Sequence, residues 1–253
     1  MPITEFKLEY TRLEAGAAGD TAAVVVAAGS ASRMGGSGKQ LLPLLGVPVL
    51  IRSLLAFQHA ADIASIVVVA RPADIPTVQR LCEEYGLDKV TDLVPGGATR
   101  AESVKNGVAR CRDVQYIAIH DGARPLVSGT TIAAVIADAR TYGAATAAMP
   151  VKDTIKIADS AENVADTPDR SRLYAVQTPQ VFKLSDYTAA VEKLGARIRD
   201  LTDDCAIMEQ AGYRVHLSAG DYKNIKITTP EDIIIAEALL KSEGDSNADR
   251  TWL

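Results

Sequence analysis

The chain has 253 residues, 47% of them hydrophobic, 23% charged and 5% aromatic, which excludes a disordered, collagenous or coiled-coil protein. That length holds one large domain or two small ones with a sizeable core, so folding requires neither a metal nor a disulfide. With 27 basic against 32 acidic residues, net -5, a partner held mainly through nucleic-acid phosphates is excluded, and any bound anion must meet a local basic cluster.

Phe6, Leu8 and Tyr10 alternate with Lys7, Glu9 and Thr11 in a strand-like pattern, and Ala15 to Asp20 reads as a linker, so residues 1–20 are expected to be an N-terminal extension. From Ala22 onward, short Val- and Ile-rich runs alternate with longer segments of helical period. This predicts an α/β fold: a Rossmann-like, mostly parallel sheet covered by helices on both faces. The expected strands are Ala22 to Ala27, Ser65 to Ala70, Lys89 to Val94, Tyr116 to His120, Ala145 to Met149 and Tyr213 to Leu217. The expected helices are Val49 to His59, Ile75 to Tyr85, Thr99 to Cys111, Thr130 to Tyr142, Asp186 to Leu194, Asp203 to Ala211 and Pro230 to Lys241. Thr99 with Glu102 forms a capping box, Ser128 is an N-cap, and Pro230 with Glu231 and Asp232 suits a first helical turn.

The alternation breaks between residues 152 and 178. There Thr154 to Ile157 and Leu173 to Val176 read as two strands flanking a polar, turn-rich stretch, which predicts an inserted hairpin arm within a domain spanning residues 21–243. Residues 244–253 read as a polar tail. Cys82, Cys111 and Cys205 are scattered without metal-ligand spacing, and no apolar run approaches the ~20 residues needed to span a bilayer. With charged residues near the N-terminus, this predicts a cytoplasmic protein free of membrane contact.

Ligands of open α/β sheets bind beyond the carboxyl ends of the strands, so the turn after the first apolar run is the most informative. It reads Ala27-Ala-Gly-Ser-Ala-Ser-Arg33-Met-Gly-Gly-Ser-Gly-Lys39-Gln-Leu-Leu-Pro43. Small residues let backbone N–H groups approach phosphate oxygens, while Arg33 and Lys39 supply positive charge. A Walker A loop is rejected because Arg33 and Gln40 stand where Gly and Ser or Thr are needed. A dinucleotide fingerprint, and with it a nicotinamide-dependent dehydrogenase, is disfavoured by Ala31.

The order of this loop resembles that of nucleotidyltransferases that activate sugar and polyol phosphates. Further segments narrow the resemblance to the cytidylyltransferases of isoprenoid-precursor synthesis, the 2-C-methyl-D-erythritol 4-phosphate cytidylyltransferase family. They are Gly96-Gly97 with Arg100-Ala-Glu-Ser-Val104, His120-Asp-Gly-Ala-Arg-Pro125, Val151-Lys-Asp-Thr154, Asp169-Arg170, Gln177-Thr-Pro-Gln180, and Asn224-Ile-Lys-Ile-Thr228 running into Pro230-Glu-Asp232. The chain departs from the family at Gly38, where Pro is usual before the loop Lys, and at Ala98, where an acid is frequent.

The resemblance implies transfer of CMP from CTP to 2-C-methyl-D-erythritol 4-phosphate, with Mg2+ as cofactor and a homodimer that exchanges its arms. It implies Arg33, Lys39 and Lys226 as catalytic cations, and Ala27, Ala28, Gly29, Gly97, Ser103 and Asp121 as nucleotide contacts, with Asp121 also holding the metal. Arg124, Thr154, Arg170 and Thr178 would bind the acceptor. Ser103 also reads as a helix residue bonding its own backbone. His120 reads as a packing or hydrogen-bonding residue, because an anionic phosphate nucleophile needs little help in losing a proton. A ribitol-5-phosphate cytidylyltransferase is the nearest alternative, and a non-catalytic nucleotide-binding regulator is the alternative of another class.

Overall fold

In the computed structural model, which describes residues 19–29 and 39–246, the apolar run after Asp20 is a strand, β1 (Thr21–Val26), with Ala22 to Val25 fully buried. The chain continues through a small hairpin, β2 (Pro43–Leu44) and β3 (Val47–Pro48), to α1 (Val49–Gln58), β4 (Ile63–Ala70), α2 (Ile75–Glu84) and β5 (Val90–Pro95). It then forms α3 (Arg100–Val108), β6 (Tyr116–Asp121), α4 (Gly129–Tyr142) and β7 (Ala144–Pro150). Two short strands follow, β8 (Ile157–Ala158) and β9 (Val164–Asp166), then β10 (Tyr174–Lys183), α5 (Leu184–Leu194), α6 (Asp204–Ala211), β11 (His216–Ala219) and α7 (Pro230–Ser246).

The main sheet has seven strands in the order β11-β7-β10-β6-β1-β4-β5. Its neighbours are parallel except at β10, which runs antiparallel to both β6 and β7. Because β1 pairs β4 on one side and β6 on the other, the strand order reverses beside it. A crevice opens there beyond the carboxyl ends, the place where open sheets of this kind accept ligands.

Side chains alternate across the sheet with period 2. Ala23, Val25 and Val68 face a core completed by Leu54 and Phe57 of α1, Leu81 of α2 and Ile132 and Val135 of α4. Val24, Val67 and Val69 face the opposite core, with Val104 of α3, Tyr187 of α5 and Met208 of α6. The expected Rossmann-like sheet with helices on both faces is therefore present. A Cβ on Gly107 would meet Val24 Cγ1 at 2.5 Å and Val69 Cγ2 at 2.8 Å, so α3 lies directly against β1 and β4. A smaller cluster of Leu44, Val49, Ile227 and Ala236 ties α7 to the β2–β3 hairpin.

Local chemistry starts the helices as expected: Thr99 Oγ1 accepts from Glu102 N at 3.1 Å and Ser128 Oγ from Thr131 N at 3.1 Å. The Glu102 carboxylate reaches back to Ala98 N at 2.8 Å, one residue beyond the usual capping box.

Four expectations are corrected. The arm strands do not pair with each other: Ile157 pairs with Asp166, while Tyr174 to Val176 pair with Pro150 to Ala148. Asp159 Oδ1 accepts from both Ala161 N and Asn163 N at 2.9 Å, and this turn closes a tighter hairpin inside the polar stretch. Second, β10 continues past Val176 into the main sheet, with its register shifting between Val176 and Gln180 around Pro179, which has no N–H to donate. Third, Asp20 belongs to the fold rather than to an extension, since its carboxylate pairs with Arg140 at 2.6 Å and its carbonyl accepts from Gln115 N at 2.8 Å. Fourth, α7 runs past Lys241 to Ser246, and the strand expected from Tyr213 begins at His216. The expected strand at Phe6 to Tyr10 and the end of the tail lie outside the described residues. Among the described residues no helix is long and apolar enough to cross a membrane.

Candidate functional site

At the carboxyl ends of β1, β5 and β6 the backbone stays bonded to the sheet after the strands end. Ala27 N donates to Val69 O at 2.7 Å, Gly96 N to Ala70 O at 2.9 Å and Gly122 N to Val26 O at 2.9 Å. A Cβ on Gly96 would run into Ala28 Cβ, so the first and third turns approach as closely as their backbones allow. Between them lies a cleft of about 450 Å³ lined by Val26, Ala28, Gly29, Gln40, Gly97, Ala98, Thr99, Arg100, Ser103, Asp121, Ala123 and Lys226.

Asp121, the last residue of β6, is the electrostatic centre of this cleft. Its Oδ2 lies 2.9 Å from Lys226 Nζ and 3.7 Å from Arg124 Nε, and its Oδ1 lies 3.6 Å from Arg100 Nε. Burial works to raise its pKa, but Lys226, Arg100 and Arg124 outweigh that and hold the carboxyl well below the usual range. Arg100, at the start of α3, also donates from Nη1 to the fully buried Asp204 at 2.6 Å. Burial opposes its charge, yet Asp204 and Asp121 together raise its pKa. Tyr187 Oη donates to the other Asp204 oxygen at 2.7 Å, which fixes that carboxylate from behind.

Lys226 is held by its neighbours rather than by its own secondary structure. Asn224 is fully buried, its Nδ2 donates to Thr178 O at 2.9 Å, and its carbonyl accepts from Arg124 Nη1 at 2.7 Å. Ile227 N donates to Ala123 O at 2.8 Å, and Ile225 and Ile227 pack in the cluster around α7. Lys226 is thereby pinned against the turn after β6, with its ammonium in the cleft.

The sequence-derived candidates divide into four groups. Ala28, Gly29, Gly97, Ser103, Asp121 and Lys226 line the cleft, while Ala27, Arg124 and Thr178 stand immediately behind it in the bonds just given. Ser103 Oγ accepts from Gly97 N at 3.0 Å and donates to Thr99 O at 2.9 Å, so its hydroxyl is already engaged in shaping the third turn. Thr154 and Arg170 are exposed on the arm, Arg170 Nη1 donates to Lys152 O at 2.8 Å, and neither lines this chain's cleft. Lys39 opens the 3-10 helix Lys39–Leu41, and Arg33 lies outside the described residues.

Sequence reasoning missed Arg100, Asp204 and Asn224. Arg100 and Asn224 lie in motifs that were legible, but nothing local shows that they contact Asp204 and Arg124, more than 90 positions away in each case. Asp204 is hidden beside Asp203, which caps α6 by accepting from Ala206 N at 3.0 Å.

Among the described residues no cluster of His, Cys, Asp and Glu forms a metal cage. Asp121 is the one carboxylate among the described residues lining the cleft, so a Mg2+ bound there would have to take the rest of its shell from phosphates and water. Burial pushes His120 down to about 4, with Arg124 acting in the same direction against Asp121, so the ring is neutral near pH 7.

A family model described as 2-C-methyl-D-erythritol 4-phosphate cytidylyltransferase matches residues 21–242. A protein of that name from Caldanaerobacter subterraneus subsp. tengcongensis is 44% identical over 225 residues, covering 88% of this chain and 99% of the relative. One from Desulforamulus reducens is 43% identical over 226 residues, covering 88% and 97%. The crystal structure of 4-diphosphocytidyl-2C-methyl-D-erythritol synthase from Anaerococcus prevotii superposes with a TM-score of 0.79 at 33% identity, over 88% of this chain and 99% of that one.

Proposed function

The chain belongs to the 2-C-methyl-D-erythritol 4-phosphate cytidylyltransferase family, and on that premise we infer that it transfers CMP from CTP to 2-C-methyl-D-erythritol 4-phosphate, releasing pyrophosphate in the non-mevalonate isoprenoid pathway. The observation that carries the reading in this chain is the meeting of Lys226, Arg100 and Asp121 with the small-residue turns after β1 and β5 around one cleft.

A phosphate oxygen of the acceptor attacks the α-phosphorus of CTP, and the bond to the bridging oxygen of pyrophosphate breaks. Both reactants are anions, so the main barrier is their approach and the charge on the crowded phosphorus. Lys226, with Arg33 and Lys39 of the first turn, carries the positive charge that offsets it. Arg100, anchored on Asp204, keeps a further guanidinium at the cleft without needing to reorganise during the reaction. No general base is required, and His120, with both ring nitrogens engaged in the interior, does not serve as one. Asp121 would hold Mg2+ with triphosphate oxygens and water, and the ion would supply charge neutralisation at the phosphates.

Cytosine is selected by the main chain of Ala27, Ala28 and Gly29 and by Gly97, whose turn Ser103 shapes. A small pocket bounded by backbone excludes purines by volume. Arg124 faces the acceptor side of Asp121. Thr154 and Arg170 complete that side from the arm of a second copy. The arm in one chain is a short hairpin with Ile157 50% and Val164 63% exposed, and an isolated hairpin of this kind is marginal in water. The free thiols Cys82, Cys111 and Cys205 suit a reducing cytoplasm.

The test is incubation with CTP, Mg2+ and either 2-C-methyl-D-erythritol 4-phosphate or ribitol 5-phosphate, with pyrophosphate followed. Turnover with the first is expected. Preference for ribitol 5-phosphate would shift the acceptor, and stabilisation by CTP without turnover would make the protein a nucleotide-binding regulator.

A further inference from the structure

His120 is fully buried beneath the turn that joins Asp121 to Arg124, a position the transfer chemistry leaves without a task. Its two ring nitrogens meet different groups. Nε2 lies 3.3 Å from the Arg124 carbonyl oxygen, which can only accept, and Nδ1 lies 3.0 Å from Thr178 Oγ1. Thr178 Oγ1 in turn accepts from the backbone N–H of Asp121 at 3.1 Å.

One arrangement of hydrogens satisfies every member. Nε2–H donates to the Arg124 carbonyl, the bare Nδ1 accepts from the Thr178 hydroxyl, and the hydroxyl oxygen accepts from Asp121. Moving the proton to Nδ1 would set a bare nitrogen against the carbonyl of Arg124 and leave the hydroxyl hydrogen without an acceptor in a buried place. The relay therefore grips both ends of one turn, the N–H of Asp121 and the C=O of Arg124, which the bond from Arg124 N to Asp121 O at 3.0 Å closes between them. Phe57, with its ring centroid 4.9 Å away and tilted by 56°, packs against the imidazole. Arg124 needs such a grip, because its buried Nε has no hydrogen-bond acceptor and Asp121 Oδ2 stands 3.7 Å away.

We propose that His120, as its Nε2–H tautomer, is a positioning residue that acts through Thr178 to set Asp121 on the nucleotide side against Arg124 on the acceptor side. This deepens the proposed transfer reaction and rests on it. Thr178, 4% exposed with its hydroxyl committed to the relay, then shapes the acceptor site from behind.

The first experiment needs no variant and no activity: a multiple-bond 15N–1H correlation spectrum of the full chain at neutral pH. A ring protonated at Nε2 alone is expected, and a proton on Nδ1 overturns the proposal. The second compares folded variants in steady-state kinetics. His120→Asn keeps an acceptor near Nδ1, and His120→Gln keeps a donor near Nε2. Each leaves a buried group unpaired and should lower kcat about tenfold or more, with CTP affinity changed less than about threefold. Thr178→Val should match them and Thr178→Ser should restore most of the loss. The double variant His120→Asn with Thr178→Val should fall within about threefold of the worse single one, because one relay can be broken only once. A lowered Tm with kcat kept within about twofold, or single losses that multiply, overturns the relay. If the unsubstituted chain releases no pyrophosphate from CTP, the reaction fails as read, and the ring spectrum still decides the tautomer.

Discussion

Around the cleft, Asp121 and Ser103 are buried and the turns after β1, β5 and β6 stay hydrogen-bonded to the sheet. On the arm, every residue from 152 to 167 is exposed, large apolar side chains included. Most of the expected site residues sit in or behind the cleft, while Thr154 and Arg170 sit on the arm, and the two regions are built differently. The cleft inherits its geometry from parallel strands whose ends cannot move independently, so one chain suffices to define it. The arm buries almost nothing within its own chain, and on the proposed reading its contribution is made to the site of a second copy.

The largest expected effect tests the cleft. Lys226→Ala should lower kcat by about 10²- to 10³-fold, the loss that follows removal of one donor to a developing anion. A drop below tenfold would move the main charge stabilisation away from Lys226. Mixing addresses both regions at once. Lys226→Ala and Arg170→Ala chains, each inactive alone, should regain about a quarter of full activity when co-refolded, since half the dimers are mixed and hold one intact site. No recovery would return the arm to its own cleft.

A pH series separates the regions thermodynamically. His120 is neutral in the fold while the unfolded ring takes a proton below the ordinary value of 6.5, so stability should decline as pH falls from 6.5 towards about 4. The loss is on the order of 3 kcal/mol at ~1.4 kcal/mol per unit. Below 3.8 the depressed carboxyls of Asp121 and Asp20 add to the decline as they approach protonation. The arm carries no comparable buried titratable group. Chemical denaturation from pH 7 to 4 gives the slope, which His120→Asn should flatten.

Packing gives the smaller effects. Gly107→Ala forces a methyl onto Val24 and Val69 and should cost about 1–3 kcal/mol in urea. Val164→Asp, on an exposed arm position, should leave the stability of the single-chain fold within about 0.5 kcal/mol while shifting the sedimentation equilibrium towards monomer.

The centre of the parallel core was legible because β1, β4 and β6 are buried along most of their length on both faces and read as nearly continuous apolar runs. The second half of β10 was not, since Gln177-Thr-Pro-Gln180 has the composition of a turn, and its place between β6 and β7 is decided by pairing with residues more than 30 positions away, Thr146 to Ala144 of β7 and Ile119 to Tyr116 of β6. The site was legible where a short motif carries its own geometry, as at Gly96-Gly97 or Asp121. It was illegible where a side chain is defined by a distant partner, as for Arg100 on Asp204 or Arg124 on Asn224. Thr178 shows a subtler limit: its motif marks it as a site residue, while its burial and its bonds to His120 and Asp121 N assign the hydroxyl to the interior.

The amino-acid order alone determines the alternation of strands and helices, the small-residue turns and the cations available for phosphates. Hydrophobic period, capping and backbone freedom act over a few residues and are written locally. Only the tertiary structure decides that Lys226, Arg100 and Arg124 gather on Asp121 and that His120 bridges the two ends of its turn. Those contacts come from chain segments brought together by burial of the sheet, whose crossing order no local pattern encodes.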